Sequence, residues 1–300
     1  MKRILEWSAH NDLQKHNDLI DLVCENFRTS VIGDAMTDAK DTIYWDDKRN
    51  GIVINSTASL KTSSQIPLSD FKLERVEGSF SVFWNDLTSL EGCPKEIGGS
   101  FNCSENRITS LKGIPKPDVI KSEIRYLNGE ELRPLFCSHN LLTDLEYSGD
   151  YNIIDCENNQ LTSLKGCAKN VYNIQCQNNK LTSLEGGPEE TFKLNCKGNP
   201  LTSLKGAPKI IHDYFECDDF KILSSKWNTK GWIETMEGTS ENGINLLLTL
   251  LTEKELDDYF KEDPIKIYIL DGAPEIKSGV LKRTGIRDFS RIGRSIKTGL

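Results

Sequence analysis

The sequence predicts an α+β repeat solenoid of about seven coils, each about 20 residues long, with a folded cap at either end. Three observations lead to this prediction. Cysteines recur at a nearly fixed interval through the middle of the chain, an apolar residue lies two positions before each of them, and an asparagine follows three positions later in most copies.

Six cysteines set the register of the repeat. They lie at positions 103, 137, 156, 176, 196 and 217, with spacings of 34, 19, 20, 20 and 21 residues. Val82 takes the cysteine position in an earlier copy, and the last copy has Phe220 where the asparagine is expected. A typical copy reads Cys156-Glu-Asn-Asn-Gln-Leu-Thr-Ser-Leu-Lys-Gly166, and Gly-x-Pro closes four copies. Seven copies in one register define the repeat.

Each copy is predicted to contain a short strand with one buried face, because apolar residues alternate there. Stacked coils would place these strands in a parallel sheet, about 4.8 Å apart. The asparagine side chains are predicted to bond the backbone of adjacent coils. The six repeat cysteines and Val82 are called here the anchors. The residues two positions before the anchors are all apolar: Phe80, Phe101, Leu135, Ile154, Ile174, Leu194 and Phe215.

The pattern L-x-C-x-x-N-x-L-T-S-L-x-G-x-P resembles the leucine-rich repeat in its short bacterial form, over residues 68–223. The motif Leu-Thr-Ser-Leu-Glu-Gly-x-Pro is similar to the motif of repeat proteins encoded by large tailed bacteriophages. The resemblance implies a leucine-rich-repeat stack with its parallel sheet on a concave face. It also implies action by binding a bacterial host protein in the host cytoplasm, as an inhibitor or modulator of a defence component.

Three segments are predicted. Residues 1–66 form an α/β N-terminal cap, with a helix within 11–27 and a hairpin turning at Asn50-Gly51. Residues 67–223 form the solenoid, from which an insertion at 115–132 bulges, either as a decayed repeat or as a binding loop. Residues 224–300 form a mainly helical C-terminal cap with a basic tail.

Charge narrows the class of partner. The net charge is −8, yet residues 277–300 carry seven basic residues and one acid, which leaves −14 on the rest of the chain. An acidic body repels phosphate, so nucleic acid is not an expected partner, and only the basic tail could contact it. The sequence contains no apolar run that could span a membrane, and its first residues lead us to expect no secretory leader. With nine cysteines, it is therefore expected in a reducing cytoplasm with free thiols.

Catalysis, cofactors and metals are not expected. Zinc needs ligands that converge on one point, whereas these thiols would lie in a line, one per coil. Cys137 and His139 suggest a nucleophile and base, but Cys137 should face the core while Ser138 faces outward. The sequence contains no phosphate-binding or metalloprotease motif.

Partner binding is predicted on three surfaces. Exposed aromatic residues on a rigid sheet are good interface anchors, unless the N-terminal cap covers Phe83 and Trp84. The concave-face candidates are Phe83, Trp84, Phe136, Ser138, Asp155, Glu157, Gln175, Gln177, Asn195 and Lys197. The insertion contributes Ile124, Arg125 and Tyr126, and the tail contributes Arg287, Arg291 and Arg294.

The function predicted from these observations is a non-catalytic scaffold for protein–protein binding. Two alternatives come from other classes. One is a structural or adhesion component of a virion, and the other is an enzyme whose active site lies in a terminal domain without a recognisable motif.

Overall fold

The computed structural model describes residues 2–30, 42–61, 66–118, 132–218 and 221–223, and these belong to two compact units. Unit 1 contains the described residues up to Gln160 together with Gly166–Ala168, and unit 2 contains the remainder. Each unit is built from β-solenoid coils, which confirms the solenoid prediction. The predicted C-terminal cap, residues 224–300, lies outside the described residues.

The N-terminal segment contains one helix and a hairpin. Helix α1, Lys2–Asn26, begins earlier than the sequence pattern predicts and leads directly into strand β1, Phe27–Ser30. Strands β2, Ile43–Asp46, and β3, Gly51–Ile54, pair antiparallel across a turn in which Asn50 has a φ of 55°. This is the hairpin that the Asn50-Gly51 pair predicts.

A sheet on one side of unit 1, called here the front sheet, holds the repeat strands. After β1 it contains β4 (Thr57–Leu60), β6 (Phe80–Ser81), β8 (Phe101–Asn102), β10 (Pro134–Phe136) and β11 (Ile153–Asp155), in that order. The first pair is antiparallel and every later pair is parallel.

A second sheet in unit 1 was not predicted. It contains β2, β3, β5 (Leu73–Val76), β7 (Glu96–Ile97) and β9 (Lys116–Pro117). Its sequence signal is weak: one buried residue, Val76 or Ile97, lies four positions before Phe80 or Phe101. The chain leaves this sheet for the front sheet at Gly98. Only glycine fits there, because a Cβ would lie 2.0 Å from the carbonyl oxygen of Glu77.

The structure shifts two expected boundaries. Strands β3 and β4, within the segment predicted as a cap, pair in parallel with β5 and β6, so they extend both sheets. Residues 115–118 were predicted to bulge from the stack, but β9 pairs with β7 and Asp118 N donates to Ile97 O at 2.6 Å. Residues 119–131 lie outside the described chain.

Unit 2 has longer strands. These are β12 (Asn170–Gln175), β13 (Glu190–Asn195), β14 (Ile210–Glu216) and the antiparallel β15 (Lys221–Leu223). Thr191 pairs with Ile211 but Lys193 pairs with Tyr214, so β14 contains a bulge. The bulge absorbs the one extra residue of the 21-residue interval between Cys196 and Cys217.

The core is the predicted one. The seven anchors and the seven apolar residues two positions before them are all buried, with at most 4% exposure. In unit 1, Phe27 stacks on Phe80 at 6.0 Å, and Phe80 stacks on Phe101 at 5.9 Å. Each described coil therefore buries at least one pair of apolar side chains, which stabilises the narrow solenoid.

The asparagine bonds are also present. Asn106 donates to Val82 O at 2.9 Å and accepts from Leu87 N at 2.9 Å, both in the preceding coil. In unit 2, Asn199 donates to Cys176 O at 2.9 Å and accepts from Leu181 N at 3.1 Å. Each asparagine therefore satisfies backbone groups that would otherwise be buried without partners.

Candidate protein-binding face

The outward side of the front sheet in unit 1, called here the front face, presents one in-register row of side chains. Neighbours in the row differ by one strand, so adjacent members lie about 4.8 Å apart. From β1 to β11 the row is Arg28, Ser59, Ser81, Asn102, Phe136 and Asp155. It has a basic group at one end, small polar groups in the middle, and an aromatic and an acidic group at the other end.

Two aromatic residues border this row. Phe83 and Trp84 follow β6 and are 42% and 66% exposed, so no described part of the N-terminal segment covers them. Phe136, which lies in the row itself, is half-buried. Exposed aromatic side chains beside a rigid sheet are the usual anchors of protein interfaces, because they bury a large area at low entropic cost.

The position two residues after the anchor has a left-handed backbone in the six copies from Val82 to Cys196. Asn and Gly adopt this conformation readily, and the later coils use Asn158, Asn178 and Gly198 there. In unit 1 the same position holds Trp84 (φ 53°), Glu105 (φ 57°) and His139 (φ 53°). These three residues retain backbone strain that Asn or Gly would relieve, and strain of this kind concentrates at functional sites.

Acidic side chains lie at the β11 end of the front face. Burial raises the pKa of Asp155, the backbone N–H of Glu157 opposes this by donating a hydrogen bond to it, and the smaller effects of the Glu157 carboxylate and of His139 act in opposite directions. The Nδ1 atom of His139 lies 3.7 Å from the Glu105 carboxylate, with both side chains nearly half exposed. This end of the face therefore favours a basic partner group.

Ser138 provides little surface. It is only 8% exposed, and its hydroxyl donates to Ser104 Oγ at 3.1 Å. These two buried serines lie in the strip of the sheet between the exposed Phe83 and Glu157. They form a low strip between taller side chains.

The predicted candidates in unit 2 are bonded to one another or to their neighbours. Gln177 donates to Gln175 at 2.9 Å, and Gln175 donates to Asn173 at 2.8 Å. Asn195 donates to Glu216 at 3.5 Å, and Lys197 lies 3.4 Å from the same carboxylate. A partner would have to break these contacts, so this surface is a weaker candidate than the front face.

A pocket of about 270 Å³ opens at the β1 end of the front face. Arg28, Lys61, Ser59, Ser81, Phe83 and Asn102 line it. Lys61 donates to the carbonyl oxygens of Cys24, at 3.4 Å, and Glu25, at the end of α1. Sequence reasoning missed Arg28 and Ser59 because it assigned residues 1–66 to a cap, although Thr57-Ala-Ser-Leu60 repeats the alternation of Ser79-Phe-Ser-Val82.

A larger groove of about 860 Å³ lies among the loops of unit 1, next to Thr88, Gly92 and Lys112. Its lysine Lys95 is paired with Glu74 at 2.7 Å. No aromatic residue lines it, so it lacks the anchors that the front face has.

The described residues show no metal-ligand set. None of their His, Cys, Asp and Glu side chains form a group of three that could hold a metal ion. The nine cysteines are free thiols. Burial raises the pKa of Cys137 well above its usual value, whereas the His139 side chain is nearly half exposed. No described helix has the length and apolar character needed to cross a bilayer. The tail and insertion candidates lie outside the described chain.

Comparison with known proteins adds no relative: no family model, curated protein or solved structure matches the chain.

Proposed function

We propose that the chain is a non-catalytic leucine-rich-repeat scaffold that binds another protein through the front face. The observation that carries the proposal is the pair Phe83 and Trp84, which are 42% and 66% exposed beside an in-register polar row. A soluble chain gains nothing in stability from such exposed aromatic side chains, whereas an interface uses them as anchors.

The strained backbone supports the same surface. Trp84, Glu105 and His139 occupy the left-handed position in three successive coils, where later coils have residues that fit it without strain. Mutation towards Asn or Gly would relieve the strain, so retention of these side chains is explained by a contact that they make in a complex.

The assignment to the leucine-rich repeat and the helical C-terminal cap are parts of this proposal. The leucine-rich-repeat assignment is supported by the Leu-Thr-Ser-Leu motif of the coils and by the asparagine that bonds the preceding coil in the coils from Asn106 to Asn199. The similarity to bacteriophage repeat proteins makes a bacterial host protein, encountered in the cytoplasm, the expected partner. Inhibition of a defence component is the expected consequence of binding.

The proposal is tested with the full-length chain as bait in bacterial lysate. The test variant is Phe83→Ala/Trp84→Ala, and the matched control is Tyr44→Ala, which removes an aromatic side chain that is 46% exposed on β2. We expect one stoichiometric partner that the intact chain and Tyr44→Ala retain and that the double variant loses. With the purified partner, the double variant should lose roughly 100-fold in affinity.

A partner that binds the intact chain and the double variant equally would overturn the front face as the site. Recovery of the chain with purified virus particles, and no partner in lysate, would support the structural alternative. Turnover of a substrate by the intact chain would support the enzyme alternative.

A further inference from the structure

We propose that the pocket at Arg28 binds a carboxylate side chain of the partner, held next to an apolar residue that packs on Phe83. This inference rests on the proposed function and specifies the chemistry of the partner at one end of the front face.

The position of Arg28 carries the inference. Phe27 points into the core and stacks on Phe80, so Arg28, the next residue of β1, projects outward. Its register partner on β4 is Ser59, and Ser59 pairs with Ser81 on β6. Both neighbours are short, so the guanidinium is not screened by tall side chains in the row.

Arg28 has no acidic partner within the part of the chain that the structure describes. Every other arginine of unit 1 with a described ion pair is neutralised: Arg75 by Glu77, Glu96 and Asp118, and Arg107 by Asp86. Arg49 contacts Asp46 and Glu96. Among the described residues, no acidic side chain therefore competes with a partner for the exposed guanidinium of Arg28.

Two cationic side chains, Arg28 and Lys61, line the pocket. The ammonium group of Lys61 is held by the carbonyl oxygens at the end of α1, which fixes a second cation there. A carboxylate pairs with a guanidinium through two parallel charge-assisted hydrogen bonds, which a neutral amide with its single acceptor oxygen does not form.

The remaining wall specifies what stands beside the carboxylate. Phe83 supplies an apolar surface that is 42% exposed, while Ser59 and Asn102 supply hydroxyl and amide groups. A volume of about 270 Å³ accommodates one acidic side chain and part of an adjacent apolar one. The acids at the opposite end of the row, Asp155 and Glu157, exclude a second acidic group from that end. The bound segment is thus expected to cross the strands with its acidic residue at β1.

The test uses a displayed library of random twelve-residue peptides, selected on the full-length chain. We expect enrichment of Asp or Glu beside a large apolar residue. For a selected peptide, Arg28→Gln should weaken binding about tenfold or more, and so should replacing the peptide's acid by its amide. The two changes together should cost no more than either alone, because they remove the same contact. Arg107→Gln is the matched control and should change affinity by less than about twofold, since its guanidinium already pairs with Asp86.

The outcomes separate the two proposals. Peptides that lose binding with Phe83→Ala but show no acidic preference and no response to Arg28→Gln would leave the front face standing and overturn the carboxylate pocket. Peptides that respond to neither change would overturn both. Equal losses with Arg28→Gln and Arg107→Gln would show a general charge effect and would also overturn the pocket.

Discussion

The side-chain amide of Asn140 donates to the carbonyl oxygen of Cys103 at 2.9 Å, across 37 positions of sequence and the 119–131 segment between them. The same side chain accepts from Ile108 N at 2.9 Å and donates to Cys137 O at 3.3 Å. One buried amide thus closes its own coil and completes the preceding one, even where the repeat is interrupted.

Loss of this amide should destabilise unit 1. Asn140→Ala leaves the buried Ile108 N–H without its partner and removes one of the two amide donors to Cys103 C=O, so we expect a loss of about 2–4 kcal/mol in the free energy of unfolding. Urea denaturation followed by circular dichroism measures it. Asn55→Ala, which removes an exposed asparagine of the same unit, should cost less than about 0.5 kcal/mol. Equal effects of the two substitutions would contradict the bridging role.

Relief of backbone strain should trade stability against binding. Glu105→Asn and His139→Asn place a residue that tolerates the left-handed region at φ of 57° and 53°. Each should raise the free energy of unfolding by about 0.5–1 kcal/mol. Glu157→Asn, at an ordinary backbone position, should change it by less than about 0.5 kcal/mol. Thermal melts measure the stability of each variant, and its affinity for the captured partner is measured in parallel and should fall. A lower stability of Glu105→Asn and His139→Asn than of the intact chain would contradict the presence of strain.

The core thiols should be chemically silent in the folded protein. Burial raises the pKa of Cys103, Cys137 and Cys196, so the reactive thiolate is scarce and inaccessible. Iodoacetamide labelling with mass spectrometry should leave these positions unmodified at pH 8 and modify them in urea. Phe83→Cys supplies an exposed thiol as the reference, and it should react without denaturant and faster as pH rises. Native labelling of Cys137 at the reference rate would show that the core is open.

An ion cluster on the second sheet should make stability depend on acid pH. Arg75, with a side chain 14% exposed, contacts Glu77 at 2.6 Å, Glu96 at 2.8 Å and Asp118 at 2.7 Å. The hydrogen bond from Arg75 is the main cause that holds the pKa of Glu96 below its usual 4.5. Because the folded pKa is depressed, this stabilisation is complete above about pH 4.5 and is lost as the pH falls through the folded value.

Arg75→Gln should therefore lower Tm at pH 7 and reduce the further fall in Tm between pH 5 and pH 3. Arg107→Gln, which breaks a pair whose side chains are 66% and 80% exposed, should reproduce the wild-type profile. Parallel wild-type and Arg75→Gln profiles would exclude the cluster as the source of the acid sensitivity.

The repeat itself was predictable because its signals are local and redundant. An apolar residue and an anchor recur in every coil and an asparagine in most of them, so Phe101, Cys103 and Asn106 each predict the same geometry. The interval before Cys217 is one residue longer than the usual 20, and the structure accommodates this extra residue as the bulge in β14.

What escaped prediction depends on long-range pairing. The second sheet uses two-residue strands such as Glu96–Ile97, too short to show alternation. Arg28 joins the front face only because β1 pairs antiparallel with β4, a register that no local pattern specifies. The strain at Trp84 and His139 can be recognised only from their backbone angles. The sequence does show that this repeat position holds Asn or Gly in the later coils and other residues in the earlier ones.

The asparagine bonds also give the stack a direction of growth. Each coil is completed by the coil that follows it, as Leu181 is by Asn199. Where the sequence has Phe220 in place of the next asparagine, the N–H of Leu201 turns instead to Asn199 O of its own coil, at 2.8 Å. Because this N–H is satisfied within its own coil, the coil needs no following coil to complete its hydrogen bonds. A duplication of one 20-residue period upstream of it keeps every amide paired, so the length of such a protein can change by whole coils while both its ends stay as they are.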